Sequence, residues 1–231
     1  MNFETWEPVY EAVLDDFGFD RGADERARDV ADGFATPFDL GRFDGLAGAT
    51  VAIAGAGPSI ENASAARRAR EADAVLAAST AADVLLAADV AIDAMVTDLD
   101  KNPETARRLS ESGVPVVAHA HGDNVPAVRE WLPRFRTEHV LATTQARPRG
   151  DVRGFGGFTD GDRAAFLADH FGAAELVFVG WDLEDPTVDP TKARKLRWAG
   201  RLLAWLEARR CDRFDVLEER RPSVPAGWPM E

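Results

Sequence analysis

Acidic residues give the first chemical signal. Asp98 and Asp100 lie in the run Thr97-Asp98-Leu99-Asp100. Carboxylates at i and i+2 point to the same side of an extended chain, with Cα atoms about 6–7 Å apart. Such a pair can converge on one Mg²⁺, or on two ions about 4 Å apart. Mg²⁺ takes hard oxygen ligands and keeps several waters. Asn102 and Pro103 suit the cap and first position of a following helix. Two solvated aspartates on a loop are the plain alternative; a place at a strand end favours the metal.

Four further runs carry candidate groups. In His119-Ala120-His121-Gly122-Asp123-Asn124 the two histidines share one face. Only His139 and His170 remain elsewhere, which supports a zinc site poorly. The better reading gives Asp123 to the metal or the chemistry, and His119, His121 and Asn124 to phosphate or substrate. Asp123 as a helix cap and His119 as a core residue are the structural alternatives. In Gly156–Arg163, Thr159 and Asp162 have capping-box spacing, with Asp in place of Glu. A cap does not account for Asp160, Arg163 or the upstream Arg147, Arg149 and Arg153. In an acidic chain, a local basic loop suggests capture of a polyphosphate, with Thr159 beside it. Gly180-Trp181-Asp182 offers Asp182 to a heterocycle's amino-amidine edge or to the metal. Gly55-Ala56-Gly57-Pro58-Ser59 permits a tight turn and close backbone approach, which makes Gly55, Gly57 and Ser59 binding candidates, and the next helix offers its N–H groups to an anion; a plain tight turn is the alternative. It is not a full dinucleotide fingerprint, since Ile60 stands where the third glycine belongs.

These groups need a scaffold. Short apolar runs alternate with helical segments at Thr50–Ala54, Ala74–Ala78, Ala91–Val96, Val114–Ala118, His139–Thr143, Leu176–Gly180 and Phe214–Leu217. Most are apolar on both faces, as strands buried between two helix layers should be. The pattern predicts a Rossmann-like α/β fold, a mostly parallel sheet with helices on both faces. Ligands bind such sheets at the carboxyl ends of the strands, where most of these runs lie. Residues 1–48 read as a helical N-terminal extension and connector. Trp6, Val9, Tyr10, Val13, Leu14 and Phe17 have helical spacing, Gly18 is a stop, and a second helix covers Asp24–Ala31. Residues 49–231 read as one catalytic domain. Gln145–Phe158 is the longest irregular stretch within it, and such loops often serve as lids.

Composition bounds the function. The 231 residues suffice for one substantial core. A net charge of −13 argues against a nucleic-acid partner, which would demand a basic face. No apolar run reaches the ~20 residues that span a bilayer. The first ten residues carry Glu4 and Glu7 and no basic residue, so a cytoplasmic location is expected. Cys211 is the only cysteine, which excludes an internal disulfide. Lys101, Lys192 and Lys195 are the only lysines among 27 basic residues. Salt adaptation and Arg-rich codon usage would each produce that bias.

Taken together, GAGPS, TDLD, HAHGDN, TTQ at Thr143–Gln145, GGFTDGDRA at Gly156–Ala164 and GWD resemble the archaeal 6-hydroxymethyl-7,8-dihydropterin pyrophosphokinase family. The family is distantly similar to thiamine pyrophosphokinases. HAHGDN and GGFTDGDRA are specific; GAGPS and TDLD alone are not. The family pattern expects phenylalanines around Asp182, where this chain has Trp181 and Leu183. The resemblance implies Mg²⁺-dependent transfer of diphosphate from ATP to 6-hydroxymethyl-7,8-dihydropterin, releasing AMP, for folate or tetrahydromethanopterin synthesis. It implies two small-molecule partners and leaves a homodimer open. A nucleotide-sugar glycosyltransferase and a haloacid-dehalogenase-like phosphatase are the rival readings of the aspartate pair. The phosphatase pair normally opens its domain, whereas here a strand–turn–helix unit precedes it.

Overall fold

The computed structural model describes residues 1–230. The described residues form six strands in one parallel sheet of order β5-β4-β3-β2-β1-β6. The strands are β1 Thr50–Ala54, β2 Ala74–Ala78, β3 Ala94–Thr97, β4 Val116–Ala120, β5 Val140–Thr144 and β6 Glu175–Val179. Val51 pairs with Ala74 on one side and Leu176 on the other. The chain builds outward from β1 to β5, then returns to place β6 against β1. That reversal creates a topological switch point between β1 and β6.

Alternate residues along each strand serve two separate cores, as the two-residue period demands. Val51, Ile53, Leu76, Val96, Val117, Leu141 and Phe178 face helices α1 Phe3–Phe17, α7 Asp160–His170 and α8 Pro190–Arg210. Ala52, Ala54, Val75, Ala77, Met95, Ala118 and Ala142 face the opposite layer. That layer holds α2 Arg21–Asp32, α3 Ala63–Glu71, α4 Ala81–Ala87, α5 Pro103–Glu111 and α6 Val125–Trp131. The α/β expectation therefore holds, with a helical N-terminal segment.

The extension is part of both cores. Trp6, Val9, Tyr10, Val13 and Leu14 of α1 are buried in the first core, where Trp6 packs on Phe166 and Trp205. Ala27 and Ala31 of α2 enter the second. Gly18 ends α1 in the left-handed region, donating to Leu14, as its position suggested.

Two expectations fail. Phe214–Leu217 is no strand: Asp215–Leu217 is a single 3₁₀ turn. Its buried groups, Phe214 and Leu217, stand three residues apart, the spacing of a turn and not of a strand. The stretch 145–158 is no free lid either. Arg153 pairs in parallel with Thr143, its N–H donating to Ala142 and its carbonyl accepting from Thr144. It covers the open edge of β5, which would otherwise expose unpaired backbone groups.

Candidate active site

All six runs meet at the carboxyl end of the sheet, around a cavity of about 280 Å³. Its floor is the switch point. Gly55 N–H donates to Val179 and Gly57 N–H to the Gly180 carbonyl. A Cβ on Gly180 would meet the Gly55 carbonyl oxygen at 2.4 Å, and Gly180 has φ 70°. The glycine requirement thus comes from two loops crossing at the switch point, and against the expected anion-binding turn the N–H groups of Gly55, Gly57 and Ser59 are all bound within the protein. Asp182 spans the same crossing: its Oδ2 accepts from Ser59 N at 2.8 Å and Ser59 Oγ at 2.7 Å. Part of its capacity is therefore spent on holding the turn, while the residue still lines the cavity. Trp181 lines the same wall and donates its indole N–H to Ile53 O at 2.9 Å.

The Asp98–Asp100 pair comes together by a sharper bend than an extended chain gives. Leu99 between them is buried with φ 66°, and Thr97 Oγ1 accepts its N–H at 3.0 Å. A buried leucine in the left-handed region stores backbone strain, a feature that gathers at functional sites. Burial works to raise the Asp98 pKa, but hydrogen bonding to His121 and Asp100 holds it well below the usual range. His121 Nε2 lies 3.6 Å from Asp98 Oδ2. Burial and the neighbouring Asp98 push Asp100 up to about 6.

The third carboxylate is Asp160, at the start of α7. Burial first, then the charges of Asp98 and Asp100, push it up to about 7 against the pull of Arg163. Arg163, itself buried, donates to Asp160 Oδ1 at 3.0 Å and to Gln145 Oε1 at 3.2 Å, and its Nε has no partner. Asp162 behaves differently. It is fully buried and accepts from Phe158 N, Thr159 N and Thr159 Oγ1, completing a capping box. The Thr159 hydroxyl is thereby committed to the cap.

The histidine run divides as well. His121 and Asp123 line the cavity; His119 and Asn124 do not. His119 is buried in β4, with Nδ1 3.1 Å from Thr143 Oγ1 and Nε2 unpartnered. Burial, then Arg163 and His121, push its pKa well below the ordinary value, which keeps the imidazole neutral. Asn124 staples two loops: its Nδ2 donates to Asp98 O and His119 O, both at 2.7 Å, and its Oδ1 accepts from His121 N. Its amide therefore shapes the site from behind.

Arg147, Arg149 and Arg153 stand outside the cavity wall, against the expectation of a polyphosphate-gripping loop. Arg147 pairs with Glu4 and Glu7 of α1, and Arg149 with Asp29 of α2. Arg153 donates to Gly150 O. Once their segment is laid along β5, the anions near Arg147 and Arg149 are acids of the extension, and the one near Arg153 is Asp151 of the same loop. The cations that do line the cavity are Arg163, Lys101, Lys192 and Lys195. Sequence reasoning also missed Asp24 and Phe19, and quoted Gln145 only as the end of the TTQ run without a role at the site. Asp24 had a signal: it lies on the same helical stripe as the buried Ala27 and Ala31.

Three aspartates of one cavity suit a hard divalent cation, because their like charges oppose one another. Among the described residues no three His, Cys, Asp or Glu side chains form a ready-made metal cage. Mg²⁺ does not demand one, since it is commonly held by one or two carboxylates plus substrate phosphates. No helix of the described residues is long and apolar enough to cross a membrane.

Comparison with known proteins agrees with these motifs. Residues 34–187 match the family of MptE-like 6-hydroxymethylpterin diphosphokinases. A 6-hydroxymethyl-7,8-dihydropterin pyrophosphokinase of Methanothermobacter thermautotrophicus is 39% identical over 226 residues, covering 90% of this chain and 96% of the relative. Proteins of the same name from Pyrococcus furiosus and Methanocaldococcus jannaschii are 36% and 30% identical, each over 90% of this chain and 95% and 96% of their own. With most of its length matched and its distinctive motifs gathered on one cavity, the chain belongs to the MptE-like 6-hydroxymethylpterin diphosphokinase family.

Proposed function

We propose that the protein transfers diphosphate from ATP to 6-hydroxymethyl-7,8-dihydropterin and releases AMP. The observation that carries this reading is the meeting of Asp98, Asp100 and Asp160 with Arg163 in the cavity over the β1–β6 switch point. The hydroxymethyl oxygen attacks the β-phosphorus, the bond from that phosphorus to the oxygen of AMP breaks, and the hydroxyl proton leaves. Bound Mg²⁺ would offset charge on the phosphate oxygens and orient them for in-line attack.

The chain's own groups divide the remaining work. Asp98 and Asp100 are positioned to hold the metal, with Asp98 kept ionised by His121. Asp160, pushed up to about 7, is suited to accept the hydroxyl proton near neutral pH. Arg163 fixes that carboxylate and supplies positive charge where negative charge develops. Asp123 and Asp182 line the same cavity and are second candidates for contact with substrate. Phe19, Phe158 and Trp181 offer apolar faces of the kind a flat pterin packs on. The product would feed folate or tetrahydromethanopterin synthesis.

The test is to supply ATP, Mg²⁺ and 6-hydroxymethyl-7,8-dihydropterin and follow the nucleotide released. AMP formation that requires both pterin and Mg²⁺ is expected. Release of ADP, or full activity in EDTA, would overturn the reading.

A further inference from the structure

The chain uses arginine for nearly all of its positive charge: of 27 basic residues only Lys101, Lys192 and Lys195 are lysines. All three line the one cavity described above. They come from separate elements, Lys101 from the bend after β3 and the other two from the first turns of α8. On α8 the residues Lys192, Lys195, Leu196 and Ala199 lie on one stripe turned to the cavity. The backbone N–H groups of Thr191 and Lys192 are already bound by Asp189, so the positive character here belongs to the side chains.

Among the described residues, none of the three ammonium groups is in a salt bridge or a side-chain hydrogen bond. On the same helix, away from the cavity, Arg194 is paired with Asp16 and Arg210 with Asp169. The chain has 40 acidic residues, enough to pair every cation. Lys195 stands over the Phe158 ring at 6.0 Å, a contact that leaves its charge uncompensated by any acid. Three like charges without acidic partners around one concave surface raise the field there and favour an anion. Burial depresses the Lys192 ammonium, as do Lys101 and Lys195, while Asp160 and Asp100 work the other way. The lysines thus stand within each other's field and face the carboxylates across the cavity.

We propose that Lys101, Lys192 and Lys195 form a polyphosphate subsite that holds the nonbridging oxygens of a triphosphate opposite Asp98, Asp100 and Asp160. This deepens the ATP-dependent reading and rests on it. A compact ammonium on a flexible stem can follow phosphate oxygens as the diphosphate moves; a rigid guanidinium fork cannot do so as readily. That difference gives a physical reason for lysine at these positions in a chain that otherwise uses arginine.

The test is calorimetric titration of the full chain, in Mg²⁺, with inorganic tripolyphosphate, a non-hydrolysable ATP analogue and 6-hydroxymethyl-7,8-dihydropterin. Lys101→Gln, Lys192→Gln and Lys195→Gln should each weaken tripolyphosphate and the analogue by about tenfold, from loss of one charge-assisted contact. Pterin affinity should stay within error in Lys101→Gln and Lys192→Gln, and melting temperature in all three, and Lys192→Arg should recover only part of the loss. Unchanged tripolyphosphate affinity in all three folded variants would overturn the subsite while leaving wild-type AMP formation, and so the proposed function, intact. Weakened pterin binding with unchanged triphosphate binding would also overturn it. If the wild type binds neither tripolyphosphate nor the analogue, the reading beneath it fails too.

Discussion

Asp24 on α2 accepts the N–H of Gly122 at 2.7 Å, so a carboxylate of the N-terminal extension holds the histidine loop of the catalytic sheet. Its other oxygen accepts from Tyr10 at 2.8 Å and from Gln145 at 2.7 Å. Gln145 in turn accepts from Arg163, which holds Asp160. One hydrogen-bonded chain therefore runs from α1 to the proposed base. Asp24→Ala would leave buried donors on Tyr10 and Gln145 without partners, at a cost of roughly 2–4 kcal/mol. We expect a lower denaturation midpoint and a fall in turnover larger than the unfolded fraction explains. Wild-type turnover in the folded fraction would show that the chain is only structural.

Asp160 and Asp162 sit two residues apart with separable tasks. Asp162 is fully buried in its cap, whereas Asp160 lines the cavity. Asp162→Ala should cost about 1–2 kcal/mol or more of stability and spare much of the turnover per folded molecule. Asp160→Ala should cost about 10²–10⁴ in rate, well beyond what the stability lost by leaving buried Arg163 unpaired explains. Both quantities measured on both variants decide the matter. If Asp160→Ala turns over normally, the proton acceptor must be sought at Asp123 or Asp182.

Burial first, and then the charge of Asp98, raise the Asp100 carboxyl. In EDTA, Asp100→Asn should melt at or above the wild type, because a repulsive charge is gone. In Mg²⁺ the wild type should gain in melting temperature and the variant should gain less. AMP formation by the variant should fall about 10²–10³-fold, as for loss of one preorganised electrostatic group. Equal Mg²⁺ shifts in the two proteins would count against the metal role.

Asp16 gives a pH signature away from the site. Hydrogen bonds from Arg194 and then Trp198 hold its carboxyl at about 2, below the ordinary value of 3.8. A depressed carboxylate stabilises the fold fully above its unfolded pKa, and the contribution is lost as pH falls from about 4 towards 2. Asp16→Asn should therefore be less stable than the wild type at pH 7, with a gap that narrows below pH 4. The effect is modest because the pair is part-exposed. Denaturant melts at pH 7, 5 and 3 measure the gap; one that stays constant across them would remove Asp16 as its source.

The sequence by itself determined the sheet and its helices, because buried strands flanked by amphipathic helices write their periods directly into the chain. Thr50–Ala54 and Ala74–Ala78 fall where the pattern placed them, and TDLD, GWD and GAGPS lie at strand ends as read. The capping box at Thr159 and Asp162 was legible for the same reason: it needs only local spacing. Contacts between distant segments were not legible. Nothing local announces that Arg147 and Arg149 turn to Glu4 and Asp29 instead of a phosphate, because an arginine's partner is set by which acids the fold brings near. Phe214–Leu217 has a strand's composition, yet the sheet already ends at β6, and its two apolar groups pack as a turn. Asp24 reaches Gly122 across 98 residues of chain, and the three lysines reach one cavity from two elements. Those meetings exist only once the strand order brings the loops together, since hydrogen bonds and charge act over distances in space and carry no mark in sequence separation.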